Sequence, residues 1–162
     1  MSEQPFTHLN EAGEVHMVNV VDKDITDRVA VAEGLVRMAP ELASRFFAGD
    51  LPKGDAAAVA RVAGIAGAKK TSDLIPLCHP IPLTGVEVSL EPAVHGVRIT
   101  ATVSTTGRTG VEMEALTAVS MTALTVYDMV KSVARDVTIE SIRLLTKSGG
   151  RSGDWSRQEV VE

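Results

Sequence analysis

The sequence predicts an α+β domain of the split-βαβ type, an antiparallel sheet with helices on one face, preceded by a further N-terminal strand. Three observations carry this reading. Residues 86–90 and 97–103 alternate apolar with polar side chains, as a hairpin with one buried face does. Residues 56–68 and 109–131 are long Ala-, Val- and Met-rich stretches bounded by helix start and stop signals. From Arg28 onward the elements then run strand, helix, strand, strand, helix, strand, the ferredoxin-like βαββαβ order.

Each element has a local cause. Residues 15–21 form a short β-branched run, read as the N-terminal strand, with a charged turn over 22–27. Residues 28–38 alternate in period two, and Gly34 disfavours a helix interior, so they read as a strand. Pro40 suits the first position of a helix over 40–48, and Gly49 stops it. Asp55 is the expected N-cap of the helix over 56–68, in which Gly64 and Gly67 imply another backbone close by.

The stretch 74–83 holds Pro76, Pro80 and Pro82, each forcing its predecessor into an extended conformation, so a stiff segment presents His79. The hairpin turns at 92–96. Residues 136–146 read as the last strand, with a bulge near Glu140 and Ser141 where the apolar register switches. Residues 1–14 read as a polar arm, 15–147 as one catalytic domain, and 148–162 as a flexible Gly-containing tail.

Composition narrows the function. The 162 residues suffice for one well-buried domain, and 44% hydrophobic with 23% charged residues is globular usage. The net charge of −5 and the absence of a basic stripe exclude an extended nucleic-acid partner, and five aromatic residues offer little to stack bases on. A single cysteine, Cys78, forbids an intrachain disulfide. The start of the chain lacks a signal-peptide pattern and no apolar run approaches about 18 residues, so the expected location is the cytoplasm.

The chemistry centres on the helix over 109–131. Its middle is apolar, yet Glu112 and Glu114 stand at its start and Asp128 and Lys131 at its end. Ionised groups are costly to bury unless paired or in use. Asp128 and Lys131 lie within about 60° on a helical wheel, with Glu114 about 40° from Asp128. An exposed i,i+3 pair is one reading of Asp128 and Lys131; a catalytic carboxylate and amine is the other. Glu112 and Glu114 suit the helix dipole, a metal or a guanine edge. His79 is a bland loop histidine or a positioned one. Lys53, Lys69 and Lys70 are surface lysines or, gathered at a pocket, phosphate ligands. Gly149, Gly150 and Gly153 between Lys147 and Asp154 hint at an anion-binding loop, although a flexible tail is the commoner case. The lone cysteine and unpaired histidines give no zinc pattern.

Several stretches resemble one family closely: Ala63-Gly64-Ile65, Ala68-Lys69-Lys70-Thr71, Leu74-Ile75-Pro76-Leu77-Cys78-His79-Pro80, Thr109 to Leu116, Tyr127-Asp128-Met129 with Lys131, and Lys147-Ser148-Gly149-Gly150. They look like the MoaC family, the cyclic pyranopterin monophosphate synthases of molybdenum cofactor biosynthesis. The resemblance implies a cytoplasmic lyase that converts 3′,8-cyclo-7,8-dihydroguanosine 5′-triphosphate to cyclic pyranopterin monophosphate and pyrophosphate. It implies ferredoxin-like subunits in a homohexamer, a trimer of dimers, and no nucleic-acid or membrane partner. Matched position by position, it places catalysis on Lys53, Lys69, His79, Asp128 and Lys131. Substrate contacts fall on Leu77, Cys78, His79, Glu112, Met113, Glu114 and Lys147. No resident metal is implied and no cofactor is required, with magnesium an admissible companion of the triphosphate. Arg108 and Arg151 stand where lysine is frequent, Lys70 where arginine is, and Asn19 where aspartate is. Finally, Glu114 and Asp128 lie about 21 Å apart along an unbroken helix, so one small substrate would not bridge both ends, and a site shared between subunits is expected.

Overall fold

The computed structural model describes residues 8–158 apart from residue 11. Strand β1 (Thr26–Arg37) leads to helices α1 (Pro40–Ala48), α2 (Ala56–Ala68) and α3 (Thr71–Leu74). The hairpin β2 (Leu83–Ala93) and β3 (Gly96–Gly107) follows, then α4 (Glu112–Val130), β4 (Thr138–Ser148) and β5 (Trp155–Ser156). The sheet order is β2-β3-β1-β4-β5 and every pairing is antiparallel. Its first four strands have the order expected of the split-βαβ arrangement, so the α+β ferredoxin-like expectation holds.

Alternation sets the core. Ala30, Ala32 and Val36 on β1 and Val97, Ile99, Ala101 and Val103 on β3 are buried on one face. Against them lie Ala115, Ala118, Val119, Ala123, Val126 and Val130 of α4. Small side chains on both layers let helix and sheet approach closely. The same economy governs α2 on α4: a Cβ at Gly64 would stand 2.1 Å from the Thr122 hydroxyl and 3.1 Å from the Ala118 carbonyl.

The helix signals behave as their chemistry requires. Pro40 opens α1, and Gly49 closes it in the left-handed region, φ 72°. The Asp55 carboxylate caps α2 by accepting from the Ala58 N–H at 3.0 Å. The bulge in β4 falls where the register switches, with Ser141 at φ 55°.

Four expectations are corrected. Residues 15–21 are not a strand: beyond a single bridge from Val15 to Leu9, the run meets no strand partner among the described residues, and Val15, Met17 and Val21 are exposed. A β-branched run becomes a strand only where it lies along an open edge; β1, the strand this run leads into, already has β3 and β4 on its two sides, and the run passes along the cavity before α4 and not along an outer strand. The stretch 74–83 is not extended throughout, because the Cys78 N–H closes a turn onto the Ile75 carbonyl with Pro76 at its second position. Ile75 itself is extended, as a residue before proline must be. The four-residue α3 was not expected, being too short to show a period. Residues 149–158 are no loose tail: Gly149, Gly150 and Gly153, all at positive φ, turn the chain back, and β5 pairs with Thr146 and Lys147, while 159–162 lie outside the described residues. The arm expected over 1–14 lies largely outside the described residues.

The α2–α4 contact is testable. In an open helix Gly64→Ala stabilises by about 1 kcal/mol. Here the overlap with Thr122 and Ala118 should reverse the sign, giving a net loss of about 1–3 kcal/mol, read as a lower urea midpoint. An unchanged or raised midpoint would mean that the helices are free to separate.

Candidate active site

Helix α4 delivers carboxylates at both ends, and the structure gathers a different set of groups around each. Helix α2 runs antiparallel to it, with Gly64 beside Ala118 and Thr122 and Gly67 beside Thr117 and Met121. Lys53, just before α2, therefore reaches Asp128 at the far end, while Lys69, the C-cap of α2, falls at the Glu114 end.

At the start of α4 lies a cavity of about 270 Å³. Leu77, Cys78, His79 and Ile81 from the proline-rich segment form one wall, and Thr109, Gly110, Glu112, Met113 and Glu114 another. His8, Val18, Val20 and Lys23 close it from the N-terminal side. Glu114 is only 3% exposed, although it stands in the first turn of a helix. Burial raises its carboxyl pKa, a backbone N–H bond works the other way, and the neighbouring Glu112 raises it further. The Cys78 thiol is likewise raised, first by burial and then by the Glu114 charge. Glu112 is held differently: its carboxylate pairs with the Lys147 ammonium at 3.1 Å. One acid thus has a cation beside it and the other is desolvated.

A second cavity, of about 610 Å³, adjoins this one through Lys23, which lines both. Asp24, Thr26, Arg28, Gly150, Arg151 and Ser152 complete its walls. Three cations against one carboxylate make it an anion site by charge. Gly150 makes room for Arg28, whose Nη1 would lie 2.2 Å from a Cβ there. The Thr26 hydroxyl on its wall is buried and has no hydrogen-bond partner among the described residues. Sequence reasoning missed Thr26, Arg28 and Lys23. A signal was present for Arg28, which occupies the same parity of β1 as buried Ala30 and Ala32, a position where a charged side chain stands out.

At the other end of α4, Asp128 sits between two ammonium groups, Lys131 on Oδ1 and Lys53 on Oδ2, each at 2.7 Å. Lys53 also donates to the Asp128 backbone carbonyl at 2.7 Å. The hydrogen bonds from Lys131 and then Lys53 pull the Asp128 carboxyl from its ordinary 3.8 down to about 2. All three side chains are substantially exposed, so a ligand can reach them. The expected Asp128–Lys131 couple is therefore a triad, and its carboxylate is a weak base that fixes two cations.

The sequence-derived residues thus divide into two sets. Leu77, Cys78, His79, Glu112, Met113 and Glu114 share one cavity, with Lys147 tied to it and Lys69 at the same end. Lys53, Asp128 and Lys131 form the other set. Glu114 and Asp128 stand about 21 Å apart along the 19-residue helix. Among the described residues no three His, Cys, Asp or Glu side chains converge as a metal site, and no helix is long and apolar enough to cross a membrane.

The two acids should respond oppositely to pH. Because the folded state binds the Glu114 proton more tightly than the unfolded chain does, stability falls as pH rises above about 4.5, the ordinary value. Glu114→Gln should remove that fall and be more stable than the parent at neutral pH, as denaturation at several pH values would show. For Asp128, whose folded pKa is lowered, the stabilisation is complete above about 3.8 and is lost as pH drops towards about 2. Asp128→Asn should flatten the parent's acid-unfolding profile across that window.

Residues 17–150 match the model of the MoaC family. A cyclic pyranopterin monophosphate synthase of Corynebacterium glutamicum (strain R) is 58% identical over 94% of this chain and 98% of its own. The proteins of the same name from Dinoroseobacter shibae and Roseiflexus sp. (strain RS-1) are each 60% identical, over 94% and 93% of this chain and 98% and 96% of their own. The family match spans both ends of α4 and most of the lining of both cavities, and the chain belongs to the MoaC family.

Proposed function

We propose that this protein is a cyclic pyranopterin monophosphate synthase, a cytoplasmic lyase that converts 3′,8-cyclo-7,8-dihydroguanosine 5′-triphosphate to cyclic pyranopterin monophosphate and pyrophosphate. The observation that carries the reading is the pair of adjoining cavities, one acidic and apolar-walled, the other cationic, joined at Lys23. A guanine-derived ring offers several N–H donors to Glu112 and to a buried Glu114. The triphosphate matches Lys23, Arg28 and Arg151, with the Thr26 hydroxyl as an additional donor.

The chemistry then assigns roles. Ring opening and reclosure require proton transfers near His79, Glu112 and Glu114. In the cyclisation a substrate hydroxyl oxygen attacks the α-phosphorus and the bond to the leaving pyrophosphate breaks. The hydroxyl proton passes to a base and cations offset the charge on the departing group. Lys53 and Lys131 are the groups suited to proton donation and charge neutralisation, with Asp128 holding both in place. Lys69 and Lys147 add charge at the Glu112 end. No cofactor is required in this scheme, and magnesium would arrive with the triphosphate.

The separation of about 21 Å within one chain leads to a composite site: the Lys53–Asp128–Lys131 triad of one subunit completes the cavities of another, in a homohexamer built as a trimer of dimers. Pyrophosphate release on incubation with the cyclic triphosphate tests the activity; binding without release would leave a ligand-sensing module instead. Mixed oligomers of His79→Ala and Asp128→Asn chains test the sharing. They should regain up to about a quarter to a half of parent activity, whereas verified mixed oligomers with none would assign both residues to one chain's site.

A further inference from the structure

The wall of the acidic cavity that contains Val18, Val20 and Lys23 belongs to a segment with no strand pairing of its own. Over residues 18–23 the segment is shaped by two local bonds, from the Val21 N–H to the Asn19 side chain at 2.9 Å and from the Lys23 N–H to the Val20 carbonyl at 3.1 Å. Among the described residues, its hydrogen bonds to the body of the domain come from two side chains. The Arg108 Nη1 donates to the carbonyls of both Val21 and Lys23. The His79 Nε2 lies 2.8 Å from the Val18 carbonyl.

Both ties have a definite chemistry. A carbonyl only accepts, so the His79 Nε2 must carry a hydrogen. A neutral imidazole then has its lone pair on Nδ1, which has no hydrogen-bond partner among the described residues. Arg108 is itself anchored, since Arg28 reaches back to the Gly107 carbonyl through Nε at 3.0 Å and to the Arg108 carbonyl through Nη2 at 3.1 Å. Two guanidinium groups thereby chain the strap to the loop before α4, and the second of them lines the cationic cavity.

We infer that Arg108 is a positioning residue: by holding the 18–23 strap on the cavity rim it keeps the Val18 carbonyl against His79 and so fixes the imidazole with its proton on Nε2 and its acceptor on Nδ1. A planar guanidinium is suited to this, because one group satisfies two carbonyls that a single ammonium would hold less rigidly. Removing the clamp leaves the strap held by the half-buried Val18 and Val20 at the cavity wall and by the single bond to His79, with Val21 exposed. The imidazole then samples both tautomers, and any step needing an Nδ1 acceptor slows.

This inference rests on the proposed activity for its kinetic consequence and on histidine tautomerism for its direct test. The full-length protein, labelled with nitrogen-15 in histidine, is observed at about pH 8, above the ordinary imidazole range, with the His79 signals assigned by their loss in His79→Gln. The parent should show a neutral imidazole protonated on Nε2. Arg108→Ala should show averaging of the two nitrogens and a fall in kcat for pyrophosphate release of about tenfold, the scale of losing an outer partner that orients a functional histidine. Arg108→Lys should restore part of both. A chain lacking residues 1–24 should reproduce the Arg108→Ala spectrum, which guards against a fold defect in the point variant. If Arg108→Ala and the truncated chain both keep the Nε2-protonated spectrum, or if the parent itself is protonated on Nδ1, the inference is overturned. Absence of pyrophosphate release from the parent would sink the functional reading alone, with the spectra still deciding the role of Arg108.

Discussion

The contact between α2 and α4 is the constraint on which the rest of the molecule depends. At Gly64 and Gly67 the two helices come so near that a methyl group on α2 would meet Thr122 or Met121 side-chain atoms at under 3 Å. Close approach fixes their relative translation, because an interdigitated pair of helices slides only by unpacking. That single register decides which residues meet: the loop before α2 lands on Asp128, and the C-terminus of α2 lands beside the glutamates. Had a larger residue stood at either glycine, the helices would part and Lys53 would lose the 2.7 Å contact that defines the triad. The scarcity of aromatic side chains has the same consequence, since small core residues transmit position with little slack.

The two ends of α4 use opposite electrostatic devices. Asp128 is left in reach of water, where an ion pair with two lysines contributes little to stability but holds charges at a chosen place. Glu114 is desolvated, so its proton affinity rises. Glu112, two residues earlier, is instead paired with the Lys147 ammonium. The identity of the residue therefore says little about its role. What distinguishes the three acids is whether a cation, water or only apolar atoms surround them.

Much of the fold was legible because it rests on local chemistry. The bounds of α1 and α2 follow from Pro40 and Gly49, from the Asp55 cap and from the two lysines after Ala68. The parity of β1 and β3 follows from alternation, and the bulge in β4 from a break in it. What escaped depends on distant partners. Residues 15–21 have strand composition but pair with no strand of the sheet among the described residues, and the Gly-rich end has loop composition but turns back to pair with β4. Of the candidate site, the motif residues could be named from the chain alone, and their division into two clusters followed from helix geometry. Lys53 as the second partner of Asp128 could not be foreseen, since 75 residues separate them. The cationic cavity was hidden for the same reason, being assembled from the strap, β1 and the turn after β4.

A helix that carries functional groups at both ends acts as a ruler, and a ruler measures between sites rather than within one. With its middle packed against β1, β3 and β4, α4 cannot bend to bring Glu114 and Asp128 together without emptying the core of Ala118, Val119 and Ala123. The distance of about 21 Å is thus as rigid as the core itself. Rigidity of this kind is useful when the two ends serve different pockets, because each pocket then inherits the register set at Gly64 and Gly67. The strap obeys the opposite logic. Among the described residues it has no strand pairing and is held by a few side-chain bonds to its carbonyls and by the half-buried Val18 and Val20, whereas the carboxylates behind it are fixed by the register of the helix.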